Sequence, residues 1–161
     1  MLLNDVVSTS TEVASTRSRT AKARSLAALL RAPPEILRIV VPWLAGEMRQ
    51  GRIGVGYSAI GAALETPSAA EPRWTVAEVD EILSAIGAAS GPGSTKARKE
   101  HLGRLFGGST VAEQRFLGAL LAGELRQGAL DGVMAEAVAS AAGVPSPAVR
   151  RAAMLSGNLV A

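Results

Sequence analysis

Two stretches of the chain place candidate phosphate-binding chemistry at the ends of apolar helices. Leu44-Ala45-Gly46-Glu47-Met48-Arg49-Gln50-Gly51 recurs 77 residues later as Leu121-Ala122-Gly123-Glu124-Leu125-Arg126-Gln127-Gly128, identical at seven of eight positions. The first copy runs on through Arg52 into Ile53-Gly54-Val55-Gly56, an apolar-Gly-apolar-Gly hairpin set before a further helix. The first amides of a helix have no internal partner, and the helix dipole puts partial positive charge there. Glycines let an anion approach that backbone closely. Arg52 and Arg126 add a full charge at each turn, and guanidinium matches phosphate geometry. This is the pattern of a sequence-independent backbone binder, and two such turns related by a twofold would suit the two strands of one duplex. The bland alternative is that glycine after a helix is only a cap and that arginine in a last turn only offsets the dipole. For one copy alone the cap is the stronger reading; the repetition, the Gly-x-Gly segment and a basic helix beside each copy shift the balance.

The elements that must hold these turns are helical throughout. A helix is predicted over about 2–15, and a basic one from an N-cap at Ser18 to Arg31, with Arg19 and Lys22 in its first turns. An apolar helix is predicted from Pro34 to about Gln50, and a short one over Tyr57–Leu64. Thr66 to Arg73, rich in Pro, Ser and Ala, is the best linker candidate. Thr75 with Glu78, and Thr110 with Glu113, are capping boxes that open helices to about Ala89 and Gln127. Between them lies a second basic helix, about Thr95 to Phe106, which Ser94 and Lys96 introduce. Helices over about 132–142 and from Ser146-Pro147 to Ser156 complete the chain. The same 77-residue offset aligns Ser18-Arg19-x-x-Lys22 with Thr95-Lys96-x-x-Lys99. The expectation is an all-α, two-lobed, pseudo-twofold domain built from repeated helix–Gly turn–helix units. Its lobe one covers about 1–65, its linker about 66–74 and its lobe two about 75–161.

Composition narrows the function. At 161 residues with 48% hydrophobic but 3% aromatic residues, packing falls to Ala, Leu and Val. Such small side chains favour close helix–helix contact. The net charge is +3 and the pI about 9.9. There is no cysteine, which excludes disulfides and thiolate metal sites. No signal-peptide pattern opens the chain and no apolar run is long enough for a membrane span, so a cytoplasmic protein without a membrane partner is expected. With the duplex-binding reading goes the expectation of a nucleoid-associated monomer. No carboxylate cluster points to a metal. Trp43, Trp74 and Tyr57 are expected in the core or as linker anchors rather than as base-stacking platforms, and His101 on the surface.

Taken together these residues resemble the N-terminal DNA-binding domain of ATP-dependent DNA ligases of the bacterial, actinobacterial type. The resemblance rests on Leu3-Asn4-Asp5-Val6-Val7, Thr16-x-Ser18-Arg19-x-x-Lys22 and Ile53-Gly54-Val55-Gly56. It continues through Gly91-x-Gly93-Ser94, Leu105-Phe106 and Glu113-Gln114-Arg115-Phe116-Leu117. Gly123 to Gly128 and the run Ala137-Val138-Ala139 to Ala152-x-Met154-Leu155 complete it, so nearly the whole chain is covered. Thr66 to Trp74 matches nothing. The resemblance implies a two-lobed helical domain on the minor-groove side of nicked DNA, working with the adenylation and OB-fold domains of the same parent chain. It implies contacts mostly to phosphate and sugar, hence slight sequence preference. Carried over by position, the contacts are Arg52, Gly54 and Gly56 on one side and Gly123, Arg126 and Gly128 on the other. Ser94, Lys96, Arg19 and Lys22 are secondary candidates. Where the family often has Gly-Asp-Leu near the end of the domain, this chain has Gly157-Asn158-Leu159.

Ligase chemistry needs a lysine in a Lys-x-Asp-Gly motif to take AMP covalently. The lysines here are Lys22, Lys96 and Lys99, none in that context, and Asp131-Gly132 has Ala129 at the relevant position. The chain is therefore expected to be a domain that ends before the catalytic core, with no catalytic residue or cofactor of its own. ATP and Mg would belong to the parent's other domains. Two other readings compete: a helix-turn-helix regulator formed by Gly132 to Ser156, and an interaction scaffold whose basic faces are only solvated.

Overall fold

A computed structural model describes residues 1–125 and 130–156. The fold is all-helical, as expected. The described residues form α1 (Leu3–Ser15), α2 (Arg19–Leu29), α3 (Pro34–Leu44), α4 (Tyr57–Leu64), α5 (Val76–Ala88), α6 (Ser94–Gly107), α7 (Val111–Ala122), α8 (Leu130–Ala142) and α9 (Ser146–Ser156). The start signals work as the sequence predicts. The Ser18 hydroxyl accepts from the Ala21 amide, and both threonine capping boxes are closed by their glutamates. Leu2 caps α1 differently, with Asp5 reaching back to the Leu2 amide at 2.9 Å.

The predicted ends of two helices were too late. The apolar helix expected to reach Gln50 stops at Leu44, and the one expected to reach Gln127 stops at Ala122. The cause is the same in both copies of the repeat. Gly46 and Gly123 adopt left-handed backbone, φ 81 and φ 68. Behind each glycine the next amide folds back on the helix: Glu47 donates to the Pro42 carbonyl at 2.9 Å and Glu124 to Ala119 at 2.8 Å. Gly46 donates to Trp43 and Gly123 to Leu120. This paired closure satisfies the last carbonyls and reverses the chain. In each repeat the helix thus ends within the first two residues, and the glycine at the third, not the one at the eighth, reverses the chain.

Helices from the two halves of the sequence interleave. α2 packs chiefly on α8, α4 on α6 and α7, α3 on α5, and α1 on α2 and α7. One core of buried side chains runs through these contacts, with Trp43, Phe106, Leu26, Leu83, Leu105 and Leu117 among the deepest. Trp43 and Trp74 are core residues, as expected, and His101 is half-buried.

The stretch read as a linker is fastened at both ends. The Gln114 amide nitrogen donates to the Thr66 carbonyl at 3.0 Å, and Ala69 donates to Ser109 at 2.8 Å. Trp74 is buried and donates through its indole nitrogen to Leu105 at 3.0 Å. The Trp74 carbonyl accepts from Leu3, and Val76 donates to Met1, making a short antiparallel bridge between Leu2 and Thr75. Its prolines, Pro67 and Pro72, interrupt a helix, but the anchors at its ends make it a strap.

At the α2–α8 contact, Glu136 accepts from Arg19 at 2.9 Å and pairs with Arg150 of α9 at 3.4 Å. The hydrogen bond from Arg19, with its charge, holds the Glu136 carboxyl below the ordinary glutamate value. A depressed pKa in the folded state contributes stability that is complete above the unfolded-state value and is lost as pH falls through the folded one. Wild type should therefore be more stable than Glu136→Gln at neutral pH, with the gap closing on acidification. Urea midpoints of the two proteins across a pH series check this; a gap independent of pH would refute it.

Candidate functional site

The two repeated turns meet. A cleft of about 860 Å³ is lined on one side by Gly46 to Met48 and Gly51 to Tyr57, and on the other by Leu120 to Gly123. The closest approach is between backbones: a Cβ built on Gly46 would lie 2.6 Å from the Leu125 carbonyl oxygen. Arg52, Gly54 and Gly56 of the first turn and Gly123 of the second, nominated separately from sequence, are all exposed and share this cleft.

The loop between Gly51 and Gly56 is not a two-stranded hairpin but an irregular turn pinned from beneath. Ile53 is buried, and its side chain lies against Gly87 of α5. Gly54 is left-handed at φ 71, and a Cβ there would sit 3.2 Å from the guanidinium carbon of Arg98. Arg98 in turn donates to the Ala89 and Ile86 carbonyls at the end of α5. Upstream, Arg49 makes a two-pronged contact with the buried carboxylate of Asp80. That hydrogen bond raises the Arg49 pKa above its ordinary value. Gln50 adds bonds to Asp80 at 2.7 Å and to Ser84 at 3.0 Å. The arginine of the first repeat is therefore a structural clasp. Arg52 has a different role: among the described residues no ion pair engages it. Its side chain stands at the cleft with its charge available.

The matching family model is that of the DNA ligase N terminus, over residues 57–139. It starts at the first residue of α4 and ends inside α8. The chain belongs to the DNA ligase N-terminal family. It is 52% identical over 160 residues to a probable DNA ligase of Streptomyces griseus, covering 99% of this chain and 31% of that one. It is 53% identical over 163 residues to a probable DNA ligase of Mycobacterium marinum, covering 99% and 31%. It is also 51% identical over 164 residues to DNA ligase B of Mycobacterium tuberculosis, covering 100% and 32%. The chain thus spans about a third of the length of the curated relatives it matches.

Within this ligase-family domain the secondary candidates divide into two groups. Ser94 and Lys96 lie in the first turn of α6, whose Thr95, Arg98 and Lys99 line a second groove with Gly54 and Gly56. Lys96 is exposed and 3.9 Å from Glu100. Thr95, Arg98 and Lys99 therefore border the same glycine loop, while Ser94 and Lys96 themselves are not among the residues lining that groove. Arg19 and Lys22 are on α2, against α8, and are not among the residues lining the cleft. Arg126 and Gly128 lie outside the described residues. Tyr57 departs from expectation: it is neither core nor anchor but 70% exposed at the start of α4, where it lines the cleft. Its position directly after the Gly56 N-cap places it on the free first turn of a helix whose buried side is Ile60 and Ala63. No periodicity in the sequence marks it. Asp80 and Arg98 were likewise missed, because their partners are 30 and 9 residues away at the nearest.

No helix among the described residues is long and apolar enough to cross a membrane. Among them, too, no group of three or more His, Asp or Glu is placed to hold a metal ion.

Proposed function

We propose that this domain grips duplex DNA by its backbone, with little regard for base sequence, as the N-terminal part of an ATP-dependent DNA ligase that seals nicks. The observation that carries this reading is the convergence of the two glycine turns on one cleft, with Arg52 beside it, which no ion pair among the described residues engages. Close backbone approach, a helix start and a free guanidinium are what a phosphate needs, and none of them reads a base. The family supports the same conclusion, since the relatives are named as DNA ligases. Minor-groove docking, a monomeric state and action at the nucleoid belong to this reading. So does cooperation with adenylation and OB-fold domains in the remaining two thirds of such a ligase. ATP and Mg would serve there.

The test is binding of this domain to nicked and intact duplexes of unrelated sequence over a salt series. Affinity should be similar across sequences and fall steeply with salt. Arg52→Ala should cost about 1–2 kcal/mol, as for a charge-assisted hydrogen bond, and lower the salt slope by about one phosphate. Arg126→Ala is expected to act alike. Unchanged affinity in the double variant would remove these residues from the interface. Strong preference for one sequence would favour a regulator built on α8 and α9, and absence of binding at low salt would leave an interaction scaffold.

A further inference from the structure

Aromatic side chains are scarce in this chain and four of the five are buried: Trp43, Trp74, Phe106 and Phe116 are each 5% exposed or less. The fifth, Tyr57, is 70% exposed. It stands on the cleft beside Arg52 and the Gly54–Gly56 loop, not on an unrelated face. The charged and backbone groups of that cleft explain attraction to phosphate but give no use for an apolar ring.

We propose that Tyr57 is an apolar contact of this interface, laying its ring on the deoxyribose faces of the duplex backbone next to the phosphate held at Arg52. The inference rests on the duplex-binding reading above. In an intact duplex the base faces are stacked away, so the apolar surface open to a sequence-indifferent protein is mainly sugar edge. Tyrosine suits that position: its ring buries a large area with few rotatable bonds, and its hydroxyl tolerates the wet rim. The location at the first residue of α4 fits as well. A group drawn to the amides at a helix start brings its neighbouring sugars over the side chain at that start. Binding then has two physically distinct parts, a counterion-release part from arginine and a salt-insensitive part from the ring.

Tyr57 is the chain's single tyrosine, so 3-fluorotyrosine incorporation labels this site alone. Adding a nicked or intact duplex to the labelled full chain should shift or broaden its one fluorine resonance. In anisotropy titrations Tyr57→Ala should weaken binding roughly three- to ten-fold at every salt concentration, the scale of partial burial of one ring, with the salt slope unchanged. Tyr57→Phe should keep most of the affinity. Duplex binding with an unmoved resonance, wild-type affinity in Tyr57→Ala, or a lowered salt slope in that variant would each overturn the proposal while leaving duplex binding intact. Failure of the wild-type chain to bind any duplex at low salt would instead overturn the DNA reading, and this inference with it.

Discussion

Gly46→Ala is expected to destabilise the domain by about 3 kcal/mol or more, well beyond the usual glycine-to-alanine change. Two causes add. A side chain in left-handed backbone costs about 1–2 kcal/mol, and Gly46 has φ 81. The new methyl would also sit 2.6 Å from the carbonyl oxygen of Leu125, a backbone atom that cannot rotate away. Relief requires the two turns to separate, so duplex affinity should fall along with stability. Gly123→Ala is the internal control. Its φ of 68 imposes the same backbone strain, but among the described residues nothing lies within 4 Å of the added carbon. It should therefore cost only about 1–2 kcal/mol. Urea denaturation of both variants reads the difference, and equal losses would show that the turns do not touch.

The second large effect is at Trp74. Trp74→Ala should cost about 3–5 kcal/mol, the range for emptying a buried aromatic site. The indole is 2% exposed, and a Cβ on Gly108 would come within 2.8 Å of it, so the neighbouring backbone is already in contact. Arg73 stacks on the ring at 4.4 Å and Arg104 lies at 5.7 Å. Trp74→Phe should retain most of the packing and lose about 1 kcal/mol for the hydrogen bond. The loss is small because the Leu105 carbonyl keeps the Ser109 hydroxyl as a partner at 2.8 Å. A cost below about 1 kcal/mol for the alanine variant, by the same denaturation, would return the 66–74 stretch to the status of a loose linker.

The local grammar of this chain was legible without coordinates. Ser18, Thr75 and Thr110 cap because a hydroxyl or carboxylate three residues away decides the matter locally. The helical class followed from apolar spacing. Arg52, Gly54, Gly56 and Gly123 could be nominated from chemistry, but not their meeting in one cleft, which depends on a backbone contact between residues 46 and 125. The helix ends failed for a related reason. Helical periodicity continues through Met48 and Leu125, whereas the left-handed glycines at 46 and 123 set the chain's direction. Arg49 and Arg52 are alike in composition and three residues apart. Among the described residues, only the position of Asp80 on α5 separates the clasp at Arg49 from the cation at Arg52 that no ion pair engages.

The interleaving of the two halves also bears on how the chain is made. Arg19 meets Glu136 across 117 residues of sequence, and Leu2 pairs with Thr75. A ribosome delivers α1 and α2 long before α8, so the side of α2 that α8 covers waits open until α8 is made. Docking so distant a partner closes large loops late, which slows folding and prolongs the exposure of sticky intermediates. The same pairing means that neither half carries its own complete core. The domain therefore matures as one unit, only once α8 has been made.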